Sequence, residues 1–236
     1  MENKKGKTKL ILIISLLGII GVLITIISDF ILIGKPTSAF TFLRVGPESM
    51  WDISASRITA GAFIGVMALP FQLLGLAPVY FALKPAGKVL PAMAVIINAH
   101  ALLMGVAFHI SYVYIGSSWT LHHQAAATLV TEKLVDQFSS YWMILSIIMF
   151  TEILVSSMIY ILIILKGNSL FPKWMAMFSH LGVVVFTLLI VVVIPAPFGG
   201  YVGSACLNLA TMIFFLLTLI VGYKRIKAQE LLSEKL

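Results

Sequence analysis

Residues 10–33 read LILIISLLGIIGVLITIISDFILI, an apolar run with one charge in it, Asp29. A helix that crosses a bilayer needs about 20 such residues. A basic start (Lys4, Lys5, Lys7, Lys9) precedes the run, and Thr37-Ser38-Ala39 resembles a small-residue cleavage site. A signal-peptide core is only ~7–15 residues long, however, so the run is predicted to stay as a membrane anchor. Five more runs of this kind follow at 58–83, 89–115, 141–165, 174–194 and 202–223. With 60% hydrophobic and 11% charged residues, against ~25% charged in soluble domains, the chain reads as all-α. It is predicted to be a six-transmembrane-helix bundle in which residues 1–236 form a single integral membrane domain.

The charges suggest its orientation. Both termini and the two short connections, Lys84–Lys88 and Lys166–Lys173, hold twelve of the sixteen basic residues. The other four, Lys35, Arg44, Arg57 and Lys133, lie in the remaining connections and are balanced by Glu48, Asp52, Glu132 and Asp136. Cytoplasmic loops carry the lysine and arginine excess, which predicts that both ends are cytoplasmic. The net charge of +7 is therefore a topology signal, and the expected partner is the lipid bilayer, with no nucleic acid. The single cysteine, Cys206, can form no intrachain disulfide and is read as a packing residue.

Two outer connections are long, 34–57 and 117–140, and long loops in compact folds tend to hold structure of their own. In the first, Pro47 and Glu48 are helix-opening residues, and a helix is expected to run from them through Arg57 into the second span. In the second, Leu121, Leu129, Val130, Leu134 and Phe138 recur near helical spacing, with Gln124, Glu132, Lys133 and Asp136 around the rest of the turn. That pattern predicts a short amphipathic helix lying in the interface. Pro70, Pro78 and Pro91 are expected to kink the membrane helices or open them. Ala60, Gly61, Gly65 and Ala68 are expected to form a small-residue contact face.

An ionisable residue inside a membrane span is a functional-site candidate. Asp29 and Glu152 are two such residues, with His100, His109 and His180 besides. Depth, counted at 1.5 Å per residue, places Asp29, His109 and Asn208 in the outer part of the bundle. Arg57 lies at the same level, and His122 and His123 lie above. The ligand-binding candidates are Asp29, Arg57, His109, Glu152, His100 and Asn98. A Glu152–His100 hydrogen bond and an Asp29–Arg57 pair are expected, and His180 is placed within equal reach of Glu152. No His-Glu-x-x-His, Gly-x-Ser-x-Gly or glycine-rich phosphate loop occurs, so no metal site is assigned and no residue pattern names a cofactor or an oligomeric state.

Two segments, Phe171-Pro172-Lys173-Trp174-Met175-Ala176 and Ile194-Pro195-Ala196-Pro197-Phe198-Gly199-Gly200-Tyr201 with Asn208-Leu209-Ala210 beyond it, resemble uncharacterised bacterial multi-pass membrane families. The resemblance covers the last third of the chain. It implies a bacterial plasma-membrane (inner-membrane) setting and carries no activity.

The leading expectation is a protein that binds or moves a small or lipid-like ligand through an outward-facing polar pocket. A first alternative is a membrane enzyme that acts on a lipid, with Glu152 and His100 or Asp29 and His109 as acid and base, or by metal chemistry. A second is a non-catalytic membrane partner, such as an immunity or regulatory subunit. In the plainest reading the polar residues only hold helices together.

Overall fold

The computed structural model describes residues 2–124 and 128–233, and among them the only regular secondary structure is helical. Nine α-helices occur there: α1 (Glu2–Leu32), α2 (Ala39–Val45), α3 (Ala55–Ala68), α4 (Ala77–Leu83), α5 (Val89–Gln124), α6 (Leu129–Leu165), α7 (His180–Val191), α8 (Gly199–Ser204) and α9 (Cys206–Ser233). Among the described residues five helical stretches are long and apolar enough to cross a membrane: Thr8–Leu32, Ala55–Ala86, Val89–Gln124, Leu129–Leu165 and Cys206–Gln229. The run expected at 174–194 is divided. Lys173–Phe178 forms a 3₁₀ turn and α7 has 12 residues, about 18 Å at 1.5 Å per residue. Ser179 makes the break, because its hydroxyl accepts from Gly182 N (3.2 Å) and caps the new helix.

The prolines shape the second span. Pro70, Pro78 and Pro85 each sit at the first or second position of a new helical segment, where a missing N–H costs nothing. The span therefore runs as α3, a 3₁₀ stretch (Leu69–Leu76), α4 and a final 3₁₀ turn (Lys84–Ala86). Its buried small residues are Gly61, Ala62, Gly65 and Ala68, which repeat at helical spacing. Ala60 is one residue off that stripe and points outward. The 3₁₀ stretch lies hard against α1, since a Cβ on Gly18 would strike the Gly75 backbone.

Contacts along the chain give the direction of each pass. Gly75 lies between Gly18 and Phe215, whereas Asp29 bonds Asn208, so α1 and α9 are antiparallel and both chain ends leave from the same end of the bundle. The opposite end carries the long connections and is called the loop end below. α5 and α6 make the most extensive pairing, and α1 packs on α3, on the 3₁₀ stretch and on α9. The main core gathers Val22, Leu76, Leu83, Tyr160, Met175, Phe214 and Phe215.

Both expected loop helices need revision. In the first connection Ser38 caps α2, and Gly46, at φ 62°, ends it. Pro47 and Glu48 open only a 3₁₀ turn (Gly46–Asp52), after which Ser54 caps α3 afresh by accepting from Arg57 N. In the second connection the described residues form no separate short helix. Leu121 belongs to α5, whereas Leu129, Val130, Leu134 and Phe138 belong to α6, and these helices run on past bilayer length. Leu121, Leu129 and Val130 face outward there, whereas Phe138 stacks on Tyr114 of α5 at 5.7 Å. Thr128 caps α6 through a reciprocal bond with Thr131.

At the loop end the first connection also ties to the turn before α8. Ala39 N donates to Ile194 O (3.1 Å) and Gly200 N to Thr37 O (2.7 Å). Lys35 pairs with Asp52.

Candidate functional site

A cavity of about 720 Å³ opens in the loop-end half of the bundle. α6 packs extensively on α5 but only sparsely on α7, and the space between them is left unfilled. α1, α5 and α9 form the back wall with Asp29, His109 and Asn208, and the first loop roofs it with Phe42 and Met50. Several lining residues are also outward-facing: Met143, Ile147 and Phe150 of α6 and Leu188 of α7. The cavity thus has an apolar mouth on the side of the bundle, where lipid chains would lie. Among the described residues Asp29 is its only carboxylate, and no lysine or arginine lines it.

The polar wall is one connected network across five elements. Asn208 Nδ2 donates to Asp29 Oδ2 at 2.8 Å. Gln72 Nε2 donates to Asn208 Oδ1 and to Thr25 Oγ1, both at 3.1 Å. Thr25 passes its own proton to Gly21 O (2.9 Å). On the other side of Asp29, His109 Nδ1 lies 3.6 Å from Oδ1. His109 Nε2 lies 3.0 Å from Ser28 Oγ and 3.3 Å from Gly61 O. The helices deliver these groups by simple spacing, since Thr25, Ser28 and Asp29 are one helical turn apart on α1. Gly65 makes room for the imidazole, because a Cβ there would fall within the His109 ring. Gln72 is wholly buried, and its Oε1 has no partner on the protein.

The six candidate residues separate into four groups. Asp29 and His109 meet in the cavity. Arg57 does not pair with Asp29. It sits at the end of α1 and donates through Nε to Ile31 O (2.9 Å) and through Nη2 to Gly34 O (2.8 Å) and Phe30 O (3.3 Å). The last carbonyls of a helix lack intrahelical donors, and a planar guanidinium meets several at once.

His100 and Glu152 form the expected bond, Nδ1 to Oε1 at 2.6 Å, but on the outside of the bundle. The His100 side chain is 58% exposed and that of Glu152 21%, among outward-facing Ile96, Leu103, Ile148 and Val155. They lie on the α5–α6 face and do not line the cavity.

Asn98 belongs to a second buried network nearer the chain ends. Its Nδ2 donates to Ser156 Oγ (3.1 Å) and His180 Nδ1 (3.2 Å), and His180 Nε2 reaches Thr211 Oγ1 (3.1 Å). Ser156 donates to Ala94 O and Thr211 to Leu207 O, so both hydroxyls can only accept from Asn98 and His180. His180 is satisfied as a neutral imidazole with its proton on Nε2, stacked on Phe214, and it stays away from Glu152.

His122 and His123 gather with Trp51 and Trp119 at the loop end and do not line the cavity. Gln72, Thr25, Ser28 and Thr211 were not singled out from the sequence. Gln72 had a readable signal, a lone amide two residues after Pro70 in an apolar run. The hydroxyls had none, since Ser and Thr commonly bond their own helix. Among the described residues no three His, Cys, Asp or Glu side chains come together as a metal site.

The model of one protein family, described as a family of unknown function (DUF6796), matches residues 1–225. The chain belongs to this family. The match reaches far beyond the two segments on which the resemblance to uncharacterised membrane families rested, and takes in every residue that lines the cavity, from Asp29 to Thr211. No curated protein and no solved structure matches the chain.

Proposed function

We propose that the chain is a six-pass membrane protein that binds or moves a small or lipid-like molecule in the cavity between α6 and α7. The segment Lys173–Val191 supplies the sixth crossing, its 3₁₀ turn and α7 together taking the place of one long helix. The basic residues at the end from which both termini leave put that end in the cytoplasm, so the cavity opens in the outer half. A bacterial plasma membrane is the setting we infer, with the bilayer as the surrounding partner.

One observation carries this reading: a cavity of about 720 Å³ with an apolar side mouth and a single polar wall around Asp29. Ligand sites typically occupy 300–1,000 Å³, mostly apolar with a few convergent polar groups. An amphipathic molecule entering from the bilayer would place its chain or ring past Met143, Ile147 and Phe150 and its polar end against Asp29, His109 and Asn208. Chemistry on such a molecule, with Asp29 and His109 as acid and base, is a second reading that the same pair supports. His100 and Glu152 belong to neither, since they lie outside the cavity.

Gly105 gives a clean test. It lines the cavity, and a Cβ there meets only Leu69 Cδ2, at 3.7 Å. Gly105→Phe should fold and narrow the space. Native mass spectrometry of the wild type should show retained amphipathic molecules that the variant holds less of. Equal retention by both would overturn the reading, and a lipid product lost in the variant would favour the enzyme.

A further inference from the structure

The hydrogen-bond directions around His109 say more about what the cavity takes. Ser28 Oγ donates to Gly61 O at 2.5 Å, which commits its only proton. Toward His109 that hydroxyl can only accept, so Nε2 carries a hydrogen and donates. In a neutral ring Nδ1 is then a bare lone pair, and it faces Asp29 Oδ1 across 3.6 Å, a gap too narrow for water. A bare carboxylate would set two acceptors against each other there. One proton between them removes the conflict, on the carboxyl or on the ring. Asp29 Oδ2 accepts from Asn208 and supplies no such proton.

The other charged or ionisable groups on the surrounding elements do not supply one either. Arg57 of α3 is spent on the carbonyls of Phe30, Ile31 and Gly34. His180 of α7 is closed in its own network. Tyr112 of α5 and Cys206 of α9 line the cavity without a hydrogen bond to Asp29. The lining includes five aromatic residues, Phe42, Phe108, Tyr112, Trp142 and Phe150, and aromatic faces attract cations.

The geometry points to a single exchangeable proton held between Asp29 and His109, and we propose that a lipophilic monocation entering the cavity replaces it. This rests on the cavity being a binding site, as argued above. Before entry the pair is neutral overall. On entry the O–H or N–H bond breaks, the proton leaves to bulk water, and the carboxylate faces the cation, so the site's total charge is unchanged. The ligand class is a hydrophobic ammonium or phosphonium.

The test uses the full chain in detergent micelles with two probes of similar shape, tetraphenylphosphonium and neutral triphenylphosphine oxide. Calorimetry in buffers of different ionisation heat counts protons released per probe bound. The expected result is about one proton for the cation and none for the neutral probe. Affinity for the cation should fall about tenfold per pH unit of acidification while the pair stays protonated. Asp29→Asn should abolish the release, whereas Glu152→Gln, outside the cavity, should release as the wild type does. Cation binding without proton release, or with the same affinity at every pH, would overturn the exchange. If Asp29→Asn does not fold, the wild-type proton count still decides. Binding of the neutral probe alone sinks the exchange and leaves the cavity reading standing; binding of neither sinks both.

Discussion

Replacing Gly65 and Gly105 by alanine should move stability in opposite directions, although both glycines lie inside helices. Alanine is favoured over glycine in a helix by about 1 kcal/mol. At Gly105 the added methyl meets only Leu69 Cδ2, at an ordinary 3.7 Å, so Gly105→Ala should be neutral or stabilising by up to that amount. At Gly65 the methyl lands on the His109 ring. The ring must leave α3, at an overpacking cost of about 1–3 kcal/mol. It also loses its 3.0 Å bond to Ser28, worth about 1 kcal/mol. With the helix gain subtracted, Gly65→Ala should lose about 1–3 kcal/mol. For a chain of this size that corresponds to a melting temperature lower by about 2–4 °C per kcal/mol. Thermal melts in one detergent, followed by tryptophan fluorescence, compare the two variants directly. A Gly65→Ala protein as stable as Gly105→Ala would refute the placement of His109 against the second span.

Three further outcomes follow from the polar contacts. Arg57→Ala should cost about 1.5–3 kcal/mol, the range for hydrogen bonds to a charged group, and Arg57→Lys should recover less than half, because an ammonium cannot span three carbonyls as the guanidinium does; thermal melts of both variants check it. A double-mutant cycle on His100 and Glu152 should give a coupling of about 1 kcal/mol with ligand retention unchanged, and a loss of retention in either single variant would contradict their placement outside the cavity. Asn208→Leu should destabilise by about 1–3 kcal/mol through the stranded Gln72 amide, and a melt unchanged from wild type would count against the network.

Much of the bundle was legible because membrane insertion is written one-dimensionally: a long apolar run such as 10–33 declares itself without knowledge of its neighbours. Depth was legible for the same reason, which is why Asp29, His109 and Asn208 could be placed at one level. Rotation about each helix axis was not, and it decides what meets what. Arg57 has the right depth for Asp29 but points at the open carbonyls of α1. His100 and Glu152 meet as expected, yet the side of the bundle they meet on depends on how α5 and α6 pack. Leu121, Leu129, Val130, Leu134 and Phe138 have the period of a surface helix, and that period does not tell a separate short helix from the ends of two long ones. Residues 174–194 looked like one helix because Ser179 is a single small hydroxyl residue in an apolar run, although its hydroxyl caps α7.

A structure of the full chain in lipid tests the central claim most directly. The account predicts elongated density between α6 and α7, passing Met143, Ile147 and Phe150, with a polar end within hydrogen-bond distance of Asp29 or Asn208. A bundle in which α6 closes onto α7 and leaves no cavity, with Asp29 and His109 packed among side chains alone, would contradict it.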